Sequence, residues 1–140
     1  MRDDFTAKIK DALARRAGMC CSNPDCRQPT SGPHEAPSRA VNIGVACHIA
    51  AASPRGPRYD SAMSVEERKS VENGIWLCQN CAKLIDSDEI RFSSDILHDW
   101  KRIAEESARR DIEERHSKQS SVATIRVLVV AGERDFGLWG

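Results

Sequence analysis

Two short cysteine spacings, far apart in the chain, constrain this sequence more than any other feature. Cys78-Gln79-Asn80-Cys81 is a Cys-x-x-Cys pair, and Cys21-Ser-Asn-Pro-Asp-Cys26 holds four residues between two thiols. Four such sulfurs suit one tetrahedral zinc ion. Cys20 stands beside Cys21, and a metal usually takes one of two neighbours. Cys21 is favoured because a compact Cys21–Cys26 loop can turn amides toward the sulfurs, and Cys20 is the alternative. The second pair lies where the pattern changes. Gly74-Ile-Trp-Leu-Cys78 is an apolar run of strand character, and an amphipathic turn then runs to Asp86. A zinc here pins a strand end to a helix start.

The metal reading of the thiols depends on their compartment. The chain has six cysteines, and a secreted protein could pair them as disulfides. Its first residues, Met-Arg-Asp-Asp-Phe-Thr, are polar and charged, unlike a secretory leader. No apolar run reaches transmembrane length. The expectation is a cytoplasmic protein with no membrane contact, where short cysteine spacings read as metal ligands. The 140 residues fit one domain with an appendage, and three Trp, one Tyr and three Phe make a modest core that needs a staple. The net charge is zero but uneven. Residues 1–59 hold nine Lys or Arg against five Asp or Glu, and residues 60–140 hold twelve against sixteen. A basic face for a polyanion remains available, but affinity cannot rest on charge alone.

Along the chain, Asp3 to Ala17 reads as a helix with Phe5, Ile9, Ala12 and Leu13 at helical spacing, stopped by Gly18. Asp3, Asp4 or Thr6 can cap it. Asn23-Pro24 signals a turn, and residues 27–39 read as loop. His34 reads there as an exposed loop histidine. Val41 to Ala50 reads as one strand ending near His48. Residues 51–60 form a loop stiffened by Pro54, Gly56 and Pro57, carrying Arg55, Arg58 and Tyr59. Guanidinium groups on a rigid loop suit phosphate contact, so Arg55 and Arg58 are the candidate nucleic-acid contacts. Ser64-Val-Glu-Glu67 is a capping box for a short helix. Ser93 or Ser94 caps a last helix to about residue 116. Its stripe of Leu97, Trp100, Ala104, Ala108 and Ile112 thins toward the end, and His98 beside it reads as structural. Residues 117–124 read as a linker, and Ile125–Ala131 as a buried-type strand, the start of a second domain or an oligomer contact.

Cys21-x4-Cys26, then His48, then Asn73-x4-Cys78-x2-Cys81 and Ile85-Asp86 resemble the HNH nucleases, over about residues 20–90. Gly44-Val-Ala-Cys-His-Ile-Ala-Ala-Ala-Ser-Pro-Arg-Gly-Pro-Arg-Tyr-Asp60 and Glu72-Asn-Gly-Ile-Trp-Leu-Cys-Gln-Asn-Cys-Ala-Lys-Leu-Ile-Asp86 look like the subgroup fused to SAVED sensor domains, effectors of bacterial cyclic-oligonucleotide antiphage systems (CBASS). The resemblance implies an α+β fold: a ββα-metal (His-Me finger) nuclease core stapled by a zinc on four cysteines and flanked by helices 3–17 and 94–116. It implies double-stranded DNA as substrate, cleavage to 5′-phosphate and 3′-hydroxyl ends, and a sensor domain that this sequence does not cover. His48 would be the general base. Asn73 would orient it or help hold a catalytic Mg²⁺ or Mn²⁺, and Asp86 would be a ligand of that ion.

Elementary chemistry agrees with those roles. A histidine titrates near neutrality and can take a proton from water, and a cation on the scissile phosphate absorbs developing charge. The sequence also departs from the family. The residue before the histidine is often a metal ligand, and here it is Cys47. The residue after the second cysteine of Cys-x-x-Cys is usually histidine, and here it is Ala82. Asp86 lies four residues after Ala82, on the same helix face, where colicin-type members place a second ligand. Three readings follow: a metal-dependent endonuclease of weak sequence preference, a zinc-stabilised module that binds nucleic acid without cutting, and a zinc-knotted protein-interaction domain.

Overall fold

A computed structural model describes residues 4–114 of the chain. The fold is mixed α+β with two small two-stranded sheets. The chain divides into two units, Met1–Ala108 and Arg109–Gly140; the last helix, Ser94–Glu113, runs past the boundary, and the other features below belong to the first. The expected linker at 117–124 and the expected strand Ile125–Ala131 lie outside the described residues.

Strands β3 (Gly44–His48) and β4 (Gly74–Cys78) pair antiparallel, from Gly44 opposite Cys78 to His48 opposite Gly74. Every residue of β4 is buried, as expected of a strand covered on both faces. Helix α3 (Gln79–Ser87) starts at once, with Cys78 as its N-cap, and the Cys78 sulfur accepts the Cys81 N–H at 3.5 Å. One thiol therefore ends the strand and satisfies an orphan donor of the helix. Ile85 and Cys81 turn inward from α3 and join Ile49, Ile75, Leu77 and Leu97 in the main core.

Helix α1 (Ala7–Arg16) covers Trp76 of β4 with Leu13, Ala14 and Ala17, and Phe5 just before it joins that cluster. The sequence reading starts this helix at Asp3, but its first turn forms at Ala7 because Thr6 accepts the Ile9 N–H at 3.2 Å. Gly18 ends it with φ 69°, a left-handed conformation that glycine takes without steric cost.

The expected single strand over Val41–Ala50 is two strands. β1 (Ser31–Pro33) pairs with β2 (Ala40–Asn42), placing a hairpin where loop was expected. The chain then changes partner at Ile43, whose N–H donates to the Thr30 carbonyl at 2.7 Å, and β3 pairs with β4. β3 stops at His48, because Ile49 donates to the Asn73 carbonyl and Ala50 is held by the Asn73 side chain. The capping box at Ser64 forms in full and starts α2 (Val65–Arg68). A 3-10 turn over Val71–Asn73 leads into β4. Ser93 caps α4 (Ser94–Glu113) by accepting the Ile96 N–H, and the apolar stripe runs from fully buried Leu97 to Ile112, which is 79% exposed.

Candidate metal centre and the cavity at His48

The Cys21, Cys26, Cys78 and Cys81 sulfurs all lie within 4.8 Å of one another and could hold a metal ion such as zinc. A tetrahedral zinc with Zn–S bonds of ~2.3 Å sets its sulfurs roughly 3.8 Å apart. Cys26 Sγ and Cys78 Sγ are 3.9 Å apart, so the cluster is near that size. Cys20 is outside the group, its backbone bridged to Pro29, which decides between the two neighbours in favour of Cys21.

Two of the sulfurs accept hydrogen bonds from nearby N–H groups. Asn23 Nδ2 donates to Cys81 Sγ at 3.4 Å, and the Cys81 N–H donates to Cys78 Sγ. Burial pushes the Cys21 and Cys81 thiols up. Burial works the same way on Cys78, but hydrogen bonds from the Cys81 backbone and the neighbouring thiols outweigh it and hold Cys78 below the ordinary thiol value. Asn23 reads in the sequence only as a turn former, and its side chain serves the cluster. Arg27, at φ 51°, closes the loop by donating to the Cys21 carbonyl at 2.8 Å.

On the same strand–strand–helix unit, His48 at the end of β3 and Asp86 near the end of α3 line one small cavity of about 200 Å³. Cys47 and Ala82 line it too, with the loop at Ser53 and Gly56 forming another wall. His48 is half-buried, and its imidazole stacks on the Phe5 ring at 4.0 Å between centroids. Cys47 is buried, and that burial, reinforced by the Asp86 charge, pushes its thiol up to about 12. Cys47 packs with the main core as a small buried residue.

Asn73 is buried, and its amide is committed to backbone. Oδ1 accepts the Ala50 N–H at 2.9 Å, and Nδ2 donates to the Ala50 and Arg68 carbonyls at 3.0 Å each. Asn73 thus holds the chain just past His48, and it is not among the residues lining the His48 cavity.

Arg58 also differs from the sequence reading. Its side chain is 4% exposed and turns inward. Nε donates to the Ile49 carbonyl at 2.6 Å and Nη1 to the Ile85 carbonyl at 2.9 Å, while Nη2 pairs with Asp86 Oδ1 at 2.8 Å. A guanidinium held this way cannot present itself to a phosphate, so Arg58 fastens the loop to the chain just past β3 and to α3 instead. Its backbone φ of 59° is rare for a non-glycine residue, and these contacts hold it there. Arg55 of the same loop is exposed. His34 accepts the Ala36 N–H on Nδ1 and orders its own loop. His98 is exposed and lines a larger cavity of about 530 Å³ whose walls include Asp60, Glu66, Glu67 and Glu72, a charge pattern that repels phosphate. No helix among the described residues is long and apolar enough to cross a membrane.

Comparison of the sequence with known protein families gave no matching family, and comparison with characterised proteins gave no matching relative.

Proposed function

We propose that this chain is a metal-dependent endonuclease module of the HNH type that hydrolyses phosphodiester bonds in double-stranded DNA with little sequence preference. The observation that carries this reading is the shared cavity. His48 from a strand end and Asp86 from the following helix line one small space, on a unit that four cysteines can staple. His48 takes the proton of the attacking water. Asn73 keeps His48 in place by holding Ala50, and so acts without touching substrate. Asp86, 51% exposed at the cavity, offers the hard oxygen that Mg²⁺ or Mn²⁺ prefers, with waters completing its shell. Arg58 fixes one oxygen of that carboxylate. Bound there, the ion would supply positive charge for the scissile phosphate and the leaving oxygen. Arg55 contacts backbone phosphate, which binds without reading sequence. The wider setting belongs to the same proposal: a bacterial cytoplasmic antiphage effector of the CBASS kind, joined in its relatives to a sensor domain and working as a homo-oligomer.

The test is nicking of supercoiled plasmid by the zinc-loaded chain with Mg²⁺ or Mn²⁺. Cleavage that depends on the ion and is lost in His48→Ala is the expected result. Ion-independent cleavage, or cleavage unchanged in His48→Ala, would overturn the assignment. A second reading has its own support. Ala82 faces the cavity where the resembled family usually carries a ligand, and Arg58 already pairs with Asp86. These features favour a module that binds nucleic acid without cutting it. DNA retention that weakens with salt, without nicking under any divalent ion, would select it.

A further inference from the structure

We propose that Phe5 is a positioning residue for His48, and that Gly74 exists as glycine to let it be one. This rests on the reading of His48 as the base. The Phe5 and His48 rings are 4.0 Å apart and within 11° of parallel. Phe5 is 5% exposed, wedged among Leu13, Ala14 and Trp76, so its plane is set by packing. The third member is Gly74, directly opposite His48 in the β3–β4 register. A Cβ at Gly74 would lie 3.1 Å from Phe5 Cζ and 2.5 Å from Leu13 Cδ1. The bare backbone at Gly74 thus provides the space that Phe5 and Leu13 fill. Three segments remote in sequence meet here: the residue before the Thr6 cap of α1, the end of β3 and the start of β4.

The geometry has a chemical consequence. A base that tilts out of place loses its line to the water. A flat aromatic face against one side of the ring opposes its rotation about the Cβ–Cγ bond. His48 still lines the cavity that holds Asp86. Phe5 therefore acts through His48 and not on substrate.

Two readouts on the full zinc-loaded chain test this. The imidazole protons of His48 should be shifted upfield by the stacked ring in the NMR spectrum, and should move toward those of exposed His98 in Phe5→Leu. In the plasmid assay Phe5→Leu should lower kcat by roughly ten- to a hundredfold, as small misplacements of reacting groups do, with KM within about twofold. Gly74→Ala should press first on Leu13 and move the Phe5 ring by a few tenths of an ångström, so that the shift falls while Phe5 itself is intact. Unmoved imidazole protons in Phe5→Leu, or moved protons with unchanged kcat, would overturn the proposal. A wild-type chain that does not cut overturns the nuclease reading instead, and the proton shifts then decide alone whether Phe5 holds the imidazole.

Discussion

Arg58 Nη2 donates to Asp86 Oδ1 across 2.8 Å, while the rest of the same guanidinium holds main-chain carbonyls of Ile49 and Ile85. One side chain thus ties the loop over the cavity to the strand that ends in His48 and to the helix that carries Asp86. The pair is lopsided, with Arg58 buried and Asp86 half in solvent. Its structural weight lies in the carbonyls more than in the ion pair, because solvent screens a carboxylate that exposed.

Arg58→Ala should destabilise the chain by about 1–3 kcal/mol, the usual penalty for stranding buried acceptors. Arg58→Lys should recover little of this, since an ammonium cannot reach acceptors arranged around a planar fork. Urea unfolding of both variants is the measurement. Full stability in either variant would show that the inward guanidinium is not holding the loop.

The two loop arginines should separate cleanly in DNA binding. Arg55→Ala should weaken retention on unrelated sequences and flatten the salt dependence by roughly one counterion. Arg58→Lys, at a temperature where it stays folded, should leave the salt slope unchanged. A reversed pattern would mean that the loop refolds on DNA and turns Arg58 outward.

Metal removal should unfold the β3–β4–α3 unit, because structural zinc contributes on the order of 10 kcal/mol of apparent folding energy. Cys21→Ser should lose zinc and Cys20→Ser should keep it, as read by metal content of the purified chains. The pH dependence has a definite sign. Zinc needs thiolates, and burial raises Cys21 and Cys81, so protons compete more strongly with the metal as pH falls. Zinc release and loss of tertiary signal should therefore coincide on acidification. Folding that persists after complete release would separate the metal from the fold.

A second pH-dependent contribution lies away from the thiols, between α1 and α4. Arg16 Nη2 is 2.7 Å from Glu105 Oε1, and Lys101 Nζ is 3.3 Å from Oε2. Burial works to raise the Glu105 carboxyl, but the hydrogen bond from Arg16 and the Lys101 charge outweigh it and lower it. A carboxyl lowered by folding stabilises the fold above its unfolded value, near 4.3, and that contribution is lost as pH falls through the folded value. Glu105→Gln should thus cost about 0.5–1 kcal/mol at pH 7, discounted because Arg16 is largely exposed, and less below about pH 4. An equal loss at both pH values would assign the effect to packing.

What was legible in the sequence and what was not divides by range. The four sulfurs could be named because spacing within each pair is local, and loop compactness correctly preferred Cys21 to Cys20. The capping box at Ser64 and the thinning stripe of α4 are equally local. The break at Ile43 was not legible, since Val41–Ala50 keeps strand character throughout and only Thr30, in a distant loop, makes the chain change partner. Arg55 and Arg58 share one Pro- and Gly-rich loop, and nothing near them says which guanidinium turns inward. That is decided by carbonyls just past β3 and on α3, segments separated in sequence and brought together by the fold. Phe5 against His48 was illegible for the same reason.

The chemistry separates the three residues around the cavity by what each does. His48→Ala should abolish nicking while zinc content, fold and DNA retention survive, a loss of ~10²–10⁴-fold with no rescue by any ion. Asp86→Ala should lose rate at limiting Mg²⁺ and regain part of it at excess Mg²⁺ or Mn²⁺, because a weakened site fills again at higher concentration. It should also leave Arg58 without its carboxylate, so stability is measured beside rate. Asn73→Ala should behave unlike either. Its amide holds Ala50 and Arg68 backbone in a buried place, so the variant should lose about 1–3 kcal/mol of stability, and its lower rate should not respond to added ion. Ala82→His, which restores the ligand the resembled family carries at that position, should raise cleavage at limiting metal. The decisive comparison is a metal titration of all four variants on supercoiled plasmid. Asp86→Ala cutting like wild type at limiting Mg²⁺ would remove Asp86 from the ion site, and ion rescue of Asn73→Ala would return Asn73 to it.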